Sequence, residues 1–136
     1  MSRPRPKNVV LIVARELATN LTTPVFLVDA RGHVVFYNEP AEAILGRAFS
    51  ESGEIPADEW RLLFASETSG DTLSAVDDLP SAVAFRERRT VHGELWIEGL
   101  DGVRRLVEST ALPLFARGRE FVGVVVIFWE REAGTA

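Results

Sequence analysis

A strand–turn–strand–helix pattern fills residues 24–46 and limits the folds open to this chain more than any other feature. The apolar run Val25–Val28 is followed by the turn Asp29–Gly32, whose glycine tolerates a positive φ, and by a second apolar run, Val34–Tyr37. Asn38 then suits a helix N-cap, and a glycine closes the short helix that follows. Two antiparallel strands leading directly into a capped helix are therefore predicted here.

Hydrophobic periodicity predicts further helices and strands on both sides of this pattern. Within residues 8–21, Val9, Val13 and Leu17 recur at helical spacing, and Val10, Ala14 and Leu21 widen this apolar stripe. The β-branched residues leave a strand open in the first half. The later elements are short helices beginning at Ile55 and at Leu79 and strands at 91–98, 104–115 and 120–130. The expected fold is α+β, with the order β-β-α-α-α-β-β-β after an N-terminal amphipathic helix. Its five-stranded antiparallel sheet carries short helices on one face.

The last predicted strand is apolar on both of its alternating faces. Residues 121–129 and the run Val25–Val28 contain no alternation of polar and apolar side chains. A sheet with one face in water would show that alternation, so both faces must be covered. The short helices cover one face, and helix 8–21, a second copy of the chain, or both cover the other. The pattern therefore predicts a homodimer, with helix 8–21 as its dimerisation element or as a sheet cover.

Length, charge and cysteine content exclude several classes of protein. The 136 residues suffice for one domain, expected at 22–130 between a disordered basic tail at 1–7 and a tail at 131–136. A formal net charge of −5 disfavours direct binding of nucleic acid. The chain contains no cysteine, which rules out disulfides and thiolate chemistry. The longest apolar runs are too short for a membrane span or a usual signal sequence, so a cytoplasmic protein without membrane contact is expected.

The order of these elements resembles a PAS domain. The resemblance is carried by the Asp29–Gly32 turn, by Asn38 before its helix, by the strand Gly93–Ile97, and by the segments Ser109–Leu114 and Glu120–Phe128. Such a domain is a small sensory or dimerisation module that holds a ligand or cofactor between sheet and helices, or only dimerises. The resemblance implies a sensory protein rather than an enzyme, with a separate kinase or transcription regulator as its partner.

Two departures from the family pattern bear on the cofactor, which the sequence leaves unknown. Members that form a cysteinyl-flavin adduct need a cysteine, so this chemistry is excluded here. Haem-binding members commonly place a histidine on the helix before the third strand. The corresponding residues, Leu79–Arg88, contain none, and His92 follows that helix, which argues against haem.

The candidate site residues are those expected to face the interior between sheet and helices. The ligand-pocket candidates are Phe36, Ile44, Leu45, Trp60, Phe64, Val83, Leu95, Ile97, Val107, Ser109, Val124 and Val126. Asn38 is interpreted as a structural cap rather than a ligand contact. No catalytic constellation and no metal-ligand spacing is present, and the acidic residues of loop 66–78 lack the spacing of a calcium site.

Glu108 is the unusual polar residue of the fourth strand. It requires a partner such as Arg104, Arg105 or a donor group of a ligand if its side is buried, and none if it lies exposed at a sheet edge. The leading functional interpretation is a homodimeric sensor that binds a small apolar ligand or relays a signal by protein contact. A ligand-free interaction module is the second. A remote third is an enzyme with an enclosed apolar pocket that uses Glu108 with His92 or Tyr37.

Overall fold

The computed structural model describes residues 9–46, 48–49, 54–57, 59, 79–98 and 102–131. Its elements are α1 (Val9–Thr19), β1 (Val25–Asp29), β2 (Val34–Tyr37), α2 (Glu39–Leu45), α3 (Pro80–Glu87), β3 (Val91–Glu98), β4 (Arg104–Phe115), a 3₁₀ turn (Arg117–Arg119) and β5 (Phe121–Glu130). The strands form one antiparallel sheet in the order β2-β1-β5-β4-β3. This confirms the predicted fold class.

The turn between β1 and β2 is built from its own side chains. The Asp29 carboxylate accepts hydrogen bonds from the amides of Arg31 at 2.9 Å and His33 at 3.1 Å. Gly32 has φ 85°, the conformation for which glycine is preferred. The same turn lies at one end of β5, where Asp29 pairs with Gly123. A Cβ at Gly123 would overlap the carbonyl oxygen of Val28, so only glycine lets the two strands approach here.

The sheet has two apolar faces that are buried by different elements. The helix face, on which α2 and α3 pack, belongs to a core that contains Val107, Val126 and Phe128. The outer face carries Leu27 and its neighbours on β1 and β5, and α1 packs there through Ala14 and Ala18. In the described part of the chain, no helix is both long and apolar enough to span a bilayer.

The middle of the chain departs from prediction at one residue. Ile55 forms an isolated antiparallel bridge with Val34 instead of starting a helix, and helical geometry is first seen at Ala57. Burial explains this, since Ile55 is 3% exposed and extends the strand layer beside β2. The rest of that predicted helix, the acidic loop 66–78 and both predicted tails apart from Arg131 lie outside the described residues.

Candidate ligand cavity and outer sheet face

A small, partly open cavity lies between the helix face of the sheet and α3. Its volume is about 40 Å³, enough for a few water molecules. Strands β1 to β5, the end of α2 and the first turn of α3 all contribute to its wall. The lining residues are Phe26, Val34, Tyr37, Leu45, Leu79, Pro80, Ser81, Leu95, Ile97, Val107, Ser109, Val126 and Phe128.

The cavity wall contains no charged side chain among the described residues. Its polar side chains are Tyr37, Ser81 and Ser109, which are 1%, 8% and 3% exposed. Every buried side-chain nitrogen or oxygen that the structure describes has a hydrogen-bond partner. The site therefore suits an apolar group, with hydroxyls as the polar contacts it offers.

The first turn of α3 forms one wall of the cavity and is held mainly by packing. Its N-cap is Leu79, whose side chain makes no capping hydrogen bond, and Pro80 takes the first helical position. Pro80 lies over β3 at Gly93, where an added Cβ would come within 3.2 Å of the proline Cγ. The absence of a side chain at Gly93 thus sets how closely α3 approaches the sheet.

Six of the predicted pocket residues line this cavity: Leu45, Leu95, Ile97, Val107, Ser109 and Val126. Ile44 and Val124 are buried in the same core but stand outside the wall, and Val83 is half-buried on α3. Phe36 lies on the opposite, outer face, because the irregular pairing of β1 with β2 places it beside Leu27. Trp60 and Phe64 lie outside the described residues.

Sequence reasoning missed half of the wall. Phe26, Val34, Tyr37 and Phe128 sit on central and edge strands that are apolar on both faces, so alternation could not assign their direction. The register supplies the missing information, since Phe26 pairs with Val126 and thus shares its face. The contributions of Leu79, Pro80 and Ser81 depend on where α3 docks on the sheet. No local sequence pattern indicates that position.

Asn38 connects four segments of the backbone. Its Oδ1 accepts from the amides of Val25 at 3.0 Å and Ala41 at 3.2 Å, the second being the N-cap bond of α2. Its Nδ2 donates to the carbonyls of Ala18 and Thr23, both at 2.9 Å. The side chain is 1% exposed and does not reach the cavity wall. Its geometry is that of a structural link between α1, β1 and α2.

The outer face leaves apolar side chains in contact with solvent. On α1, Val9, Val13 and Leu17 are 68%, 50% and 62% exposed, while Ala14 and Ala18 face the sheet. Val9, Val13 and Leu17 of the predicted stripe therefore point away from the sheet, whereas Ala14 of the same stripe faces it. Trp129 of β5 lies on the same side of the sheet as α1, and 38% of its surface is exposed.

A polar cluster occupies the outer face of β3 and β4 beside Trp129. The Nδ1 atom of His92 lies 2.8 Å from the hydroxyl of Thr110, and its Nε2 atom lies 3.4 Å from a carboxylate oxygen of Glu108. The ring of His92 stands 6.0 Å from that of Trp129. Glu108 thus lies on an inner strand, is partly exposed, and has His92 as its partner among the described side chains.

Arg105 and Tyr37 both lie away from that cluster. Arg105 points to the helix face, where it donates to the carbonyl of Ile44 at the end of α2 and lies 3.7 Å from a carboxylate oxygen of Glu130. Tyr37 lines the cavity on the helix face, opposite Glu108 and His92. The residues considered for acid–base chemistry are therefore not brought together in an enclosed pocket.

The described residues do not fit a histidine-ligated haem or a metal ion in the cavity. His33 Nδ1 accepts a hydrogen bond from the amide of Ala57 at 3.2 Å, and His92 is on the outer face, so neither borders the cavity. No group of three acidic or histidine side chains in the described part of the chain could hold a metal. A cysteinyl adduct is excluded by composition.

Known structures share this arrangement of sheet and helices at low sequence identity. The PAS domain of a Colwellia psychrerythraea protein is 16% identical, with 90% of this chain and 97% of that chain covered and a TM-score of 0.65. The PAS domain of the fruit-fly ELK potassium channel is 10% identical, with 90% and 98% covered and a TM-score of 0.71. The Rhodobacter sphaeroides LOV protein is 14% identical, with 94% and 71% covered and a TM-score of 0.71.

Sequence comparison is more specific than the fold. No curated protein sequence matches this chain. A family model described as PAS domain matches residues 22–130, from the connection between α1 and β1 to the last residue of β5. The chain therefore belongs to the PAS domain family, whose members serve mainly in sensing and signal transduction.

Proposed function

We propose that this protein is a homodimeric PAS sensor that binds a small apolar ligand between its sheet and α3 and relays the signal to a separate regulatory protein. A kinase or a transcription regulator fits that role, and the chain itself performs no catalysis. The observation that carries the proposal is that the two sheet faces are buried to different extents. One face closes around an apolar cavity within the chain, and the other leaves apolar side chains exposed.

The cavity supports a ligand of few heavy atoms in the arrangement described. Its 40 Å³ is far below the roughly 300–1,000 Å³ typical of pockets for drug-sized ligands. A larger ligand must displace a wall, and the first turn of α3 begins without a side-chain capping hydrogen bond to hold it. Ligand binding would then shift α3 relative to β3, which is how occupancy would become a change of surface.

The exposed stripe of α1 supports the dimer. Burial of Val9, Val13 and Leu17 against a second copy would remove apolar surface from water, at roughly 25 cal/mol per Å². Trp129 lies on the same side and would extend the contact across the sheet. Two copies meeting through one shared patch give the closed twofold arrangement common in soluble oligomers.

The small volume of the cavity also favours a second candidate function. A ligand-free interaction module needs a filled core, and 40 Å³ is a modest void for a domain of this size. The two functions differ in whether the cavity binds a ligand, and both include the dimer. A variant that fills the cavity separates them.

Native mass spectrometry of the purified full chain tests the proposal, with Ser109→Val and Thr110→Val as a matched pair. Both substitutions replace a hydroxyl on β4, but Ser109 lines the cavity and Thr110 points to the outer face. We expect the wild type to be a dimer with additional mass from a bound small molecule. Ser109→Val should lose that mass and stay dimeric, whereas Thr110→Val should retain it.

Each outcome tests a different part of the proposal. A dimer without added mass, even after incubation with small apolar compounds such as indole or benzene, would favour the ligand-free module. Added mass that survives Ser109→Val would place the ligand elsewhere. A monomer at every concentration would contradict the dimer.

A further inference from the structure

Three phenylalanines meet at the end of the sheet where β4 turns into β5. Phe85 of α3 contacts Phe121 edge to face, with ring centroids 5.3 Å apart. Phe115 contacts Phe121 from the other side at 6.1 Å. Phe115 remains 36% exposed, so this aromatic group reaches the surface.

Two arginines lie over these rings. The guanidinium carbon of Arg88 stands 3.5 Å from the centroid of Phe121, and that of Arg119 stands 5.9 Å from the centroid of Phe115. Both residues have a positive φ, 59° and 62°, which holds them at the C-cap of α3 and in the 3₁₀ turn. A guanidinium that uses its flat face for the ring keeps its N–H donors free in the plane, the geometry that a carboxylate binds with two hydrogen bonds.

Arg88 and Arg119, together with the exposed Arg117, form what we call the arginine end. None of the three lies within 4.0 Å of a carboxylate that the structure describes, although Glu120 is adjacent in sequence. In contrast, Arg89 lies 2.7 Å from a carboxylate oxygen of Glu87, which neutralises it locally. In a chain of net charge −5, the arginine end is thus a local concentration of positive charge.

We propose that the arginine end docks a short acidic peptide segment of the partner protein. Its guanidiniums offer paired donors for aspartate or glutamate carboxylates, and the exposed ring of Phe115 offers apolar contact between them. The distances from Arg88 to Phe121, from Phe121 to Phe115 and from Phe115 to Arg119 limit the separation of the two guanidiniums. About five extended residues, at roughly 3.3 Å each, would span the largest separation that these distances allow. Peptide fits better than nucleic acid because the remaining acidic charge of the chain would repel a long polyphosphate.

Helix α3 links this surface to the cavity. Its first turn supplies Pro80 and Ser81 to the cavity wall, and its C-cap is Arg88. A ligand that displaces the first turn would therefore move Arg88 relative to Phe121 and change peptide affinity. This coupling rests on the proposed ligand function, and the choice of a partner protein as the source of the peptide rests on the proposed relay.

Fluorescence anisotropy with a labelled octapeptide of alternating glutamate and serine tests the docking surface, at about 50 mM salt so that exposed charges remain effective. The double variant Arg88→Asn/Arg119→Asn removes both guanidiniums, and asparagine tolerates the positive φ. The matched control is Arg89→Gln, which removes an arginine already paired with Glu87. Arg117→Gln is a further single variant away from the aromatic rings.

We expect the peptide to bind the wild type, the double variant to weaken binding by about tenfold or more, and Arg117→Gln to weaken it less. Arg89→Gln should remain within about twofold of the wild type. Absence of binding to the wild type, an equal loss in Arg89→Gln, or tighter binding of an oligothymidylate than of the peptide would each overturn the proposal. Native mass spectra of the same samples report the dimer, so failure here is distinct from failure of the sensor proposal.

Discussion

The helix face and the outer face of the sheet carry similar apolar side chains but bury them differently. Phe128, on the helix face, is 1% exposed because α2 and α3 close over it. Its neighbour Trp129, on the outer face, is 38% exposed because α1 packs over β1 and β5 through Ala14 and Ala18. One face therefore completes its core within the chain. The other leaves apolar side chains exposed, which is why we propose that the first face binds the ligand and the second forms the dimer.

Truncation of Phe128 and of Trp129 should have the most unequal effects. Phe128→Ala removes a buried ring that contacts Phe26 edge to face at 5.7 Å and should cost about 3–5 kcal/mol of unfolding free energy. Trp129→Ala should cost about 1 kcal/mol at low protein concentration, because the side chain is already partly in water. Urea denaturation measures both. Equal losses would remove the distinction between the faces.

Substitution of Asn38 should have the next largest effect on stability, because this side chain links α1 on the outer face to α2 on the helix face. Asn38→Ala leaves the carbonyls of Ala18 and Thr23 and the amide of Val25 without their buried partner, at about 2–3 kcal/mol. Asn38→Asp keeps the acceptor for the α2 cap but loses both donor bonds. Hydrogen exchange should then quicken at the end of α1 in both variants. A loss below about 0.5 kcal/mol in Asn38→Ala would contradict this role.

Gly93→Ala should have a smaller effect that is confined to the helix face. The new Cβ would stand 3.2 Å from Pro80 Cγ, so α3 must move outward by a few tenths of an ångström. About 1 kcal/mol of stability should be lost. Amide exchange in α3 should rise, whereas α1 on the outer face should keep its wild-type rates. Unchanged exchange in α3 would show that Gly93 does not set its docking.

The smallest effect concerns the titration of Glu87 at the end of α3. Hydrogen bonding to Arg89 lowers the pKa of the Glu87 carboxyl below its usual range. A lowered folded-state pKa gives a contribution that is present above the unfolded pKa and is lost as pH falls through the folded value. Arg89→Gln should raise the pKa of Glu87 toward its usual range, as measured by NMR titration. An unchanged pKa would show that the ion pair is not populated in solution.

More of the fold than of the candidate site could be predicted from the sequence. The turn at Asp29–Gly32, the cap at Asn38 and the strand lengths are local features, and the observed strands match the predicted ranges to within one residue. The cavity wall depends on register and on the docking of α3. Phe36 was assigned to the pocket and lies on the outer face, since a bulge in the pairing of β1 with β2 cannot be inferred from two uniformly apolar strands.

The orientation of α1 on the sheet likewise could not be predicted from the sequence. The predicted stripe consists of Val9, Val13 and Leu17, widened by Val10, Ala14 and Leu21. The structure turns Ala14 and its neighbour Ala18 toward the sheet and leaves Val9, Val13 and Leu17 exposed. Small side chains let the helix lie close to β1, while the larger ones remain outside. Periodicity identified the helix, but it could not decide which of two apolar sides faces its own domain.

Sedimentation equilibrium of the full chain and of the double variant Val13→Glu/Leu17→Glu tests the central claim most directly. Glu16→Gln, an exposed polar position on the same helix, is the matched control. We predict that the wild type and Glu16→Gln sediment at twice the mass of the chain, and that the double variant is a folded monomer. A wild type that is monomeric at all concentrations, or a double variant that remains dimeric, would contradict the assignment of the outer face to a second copy.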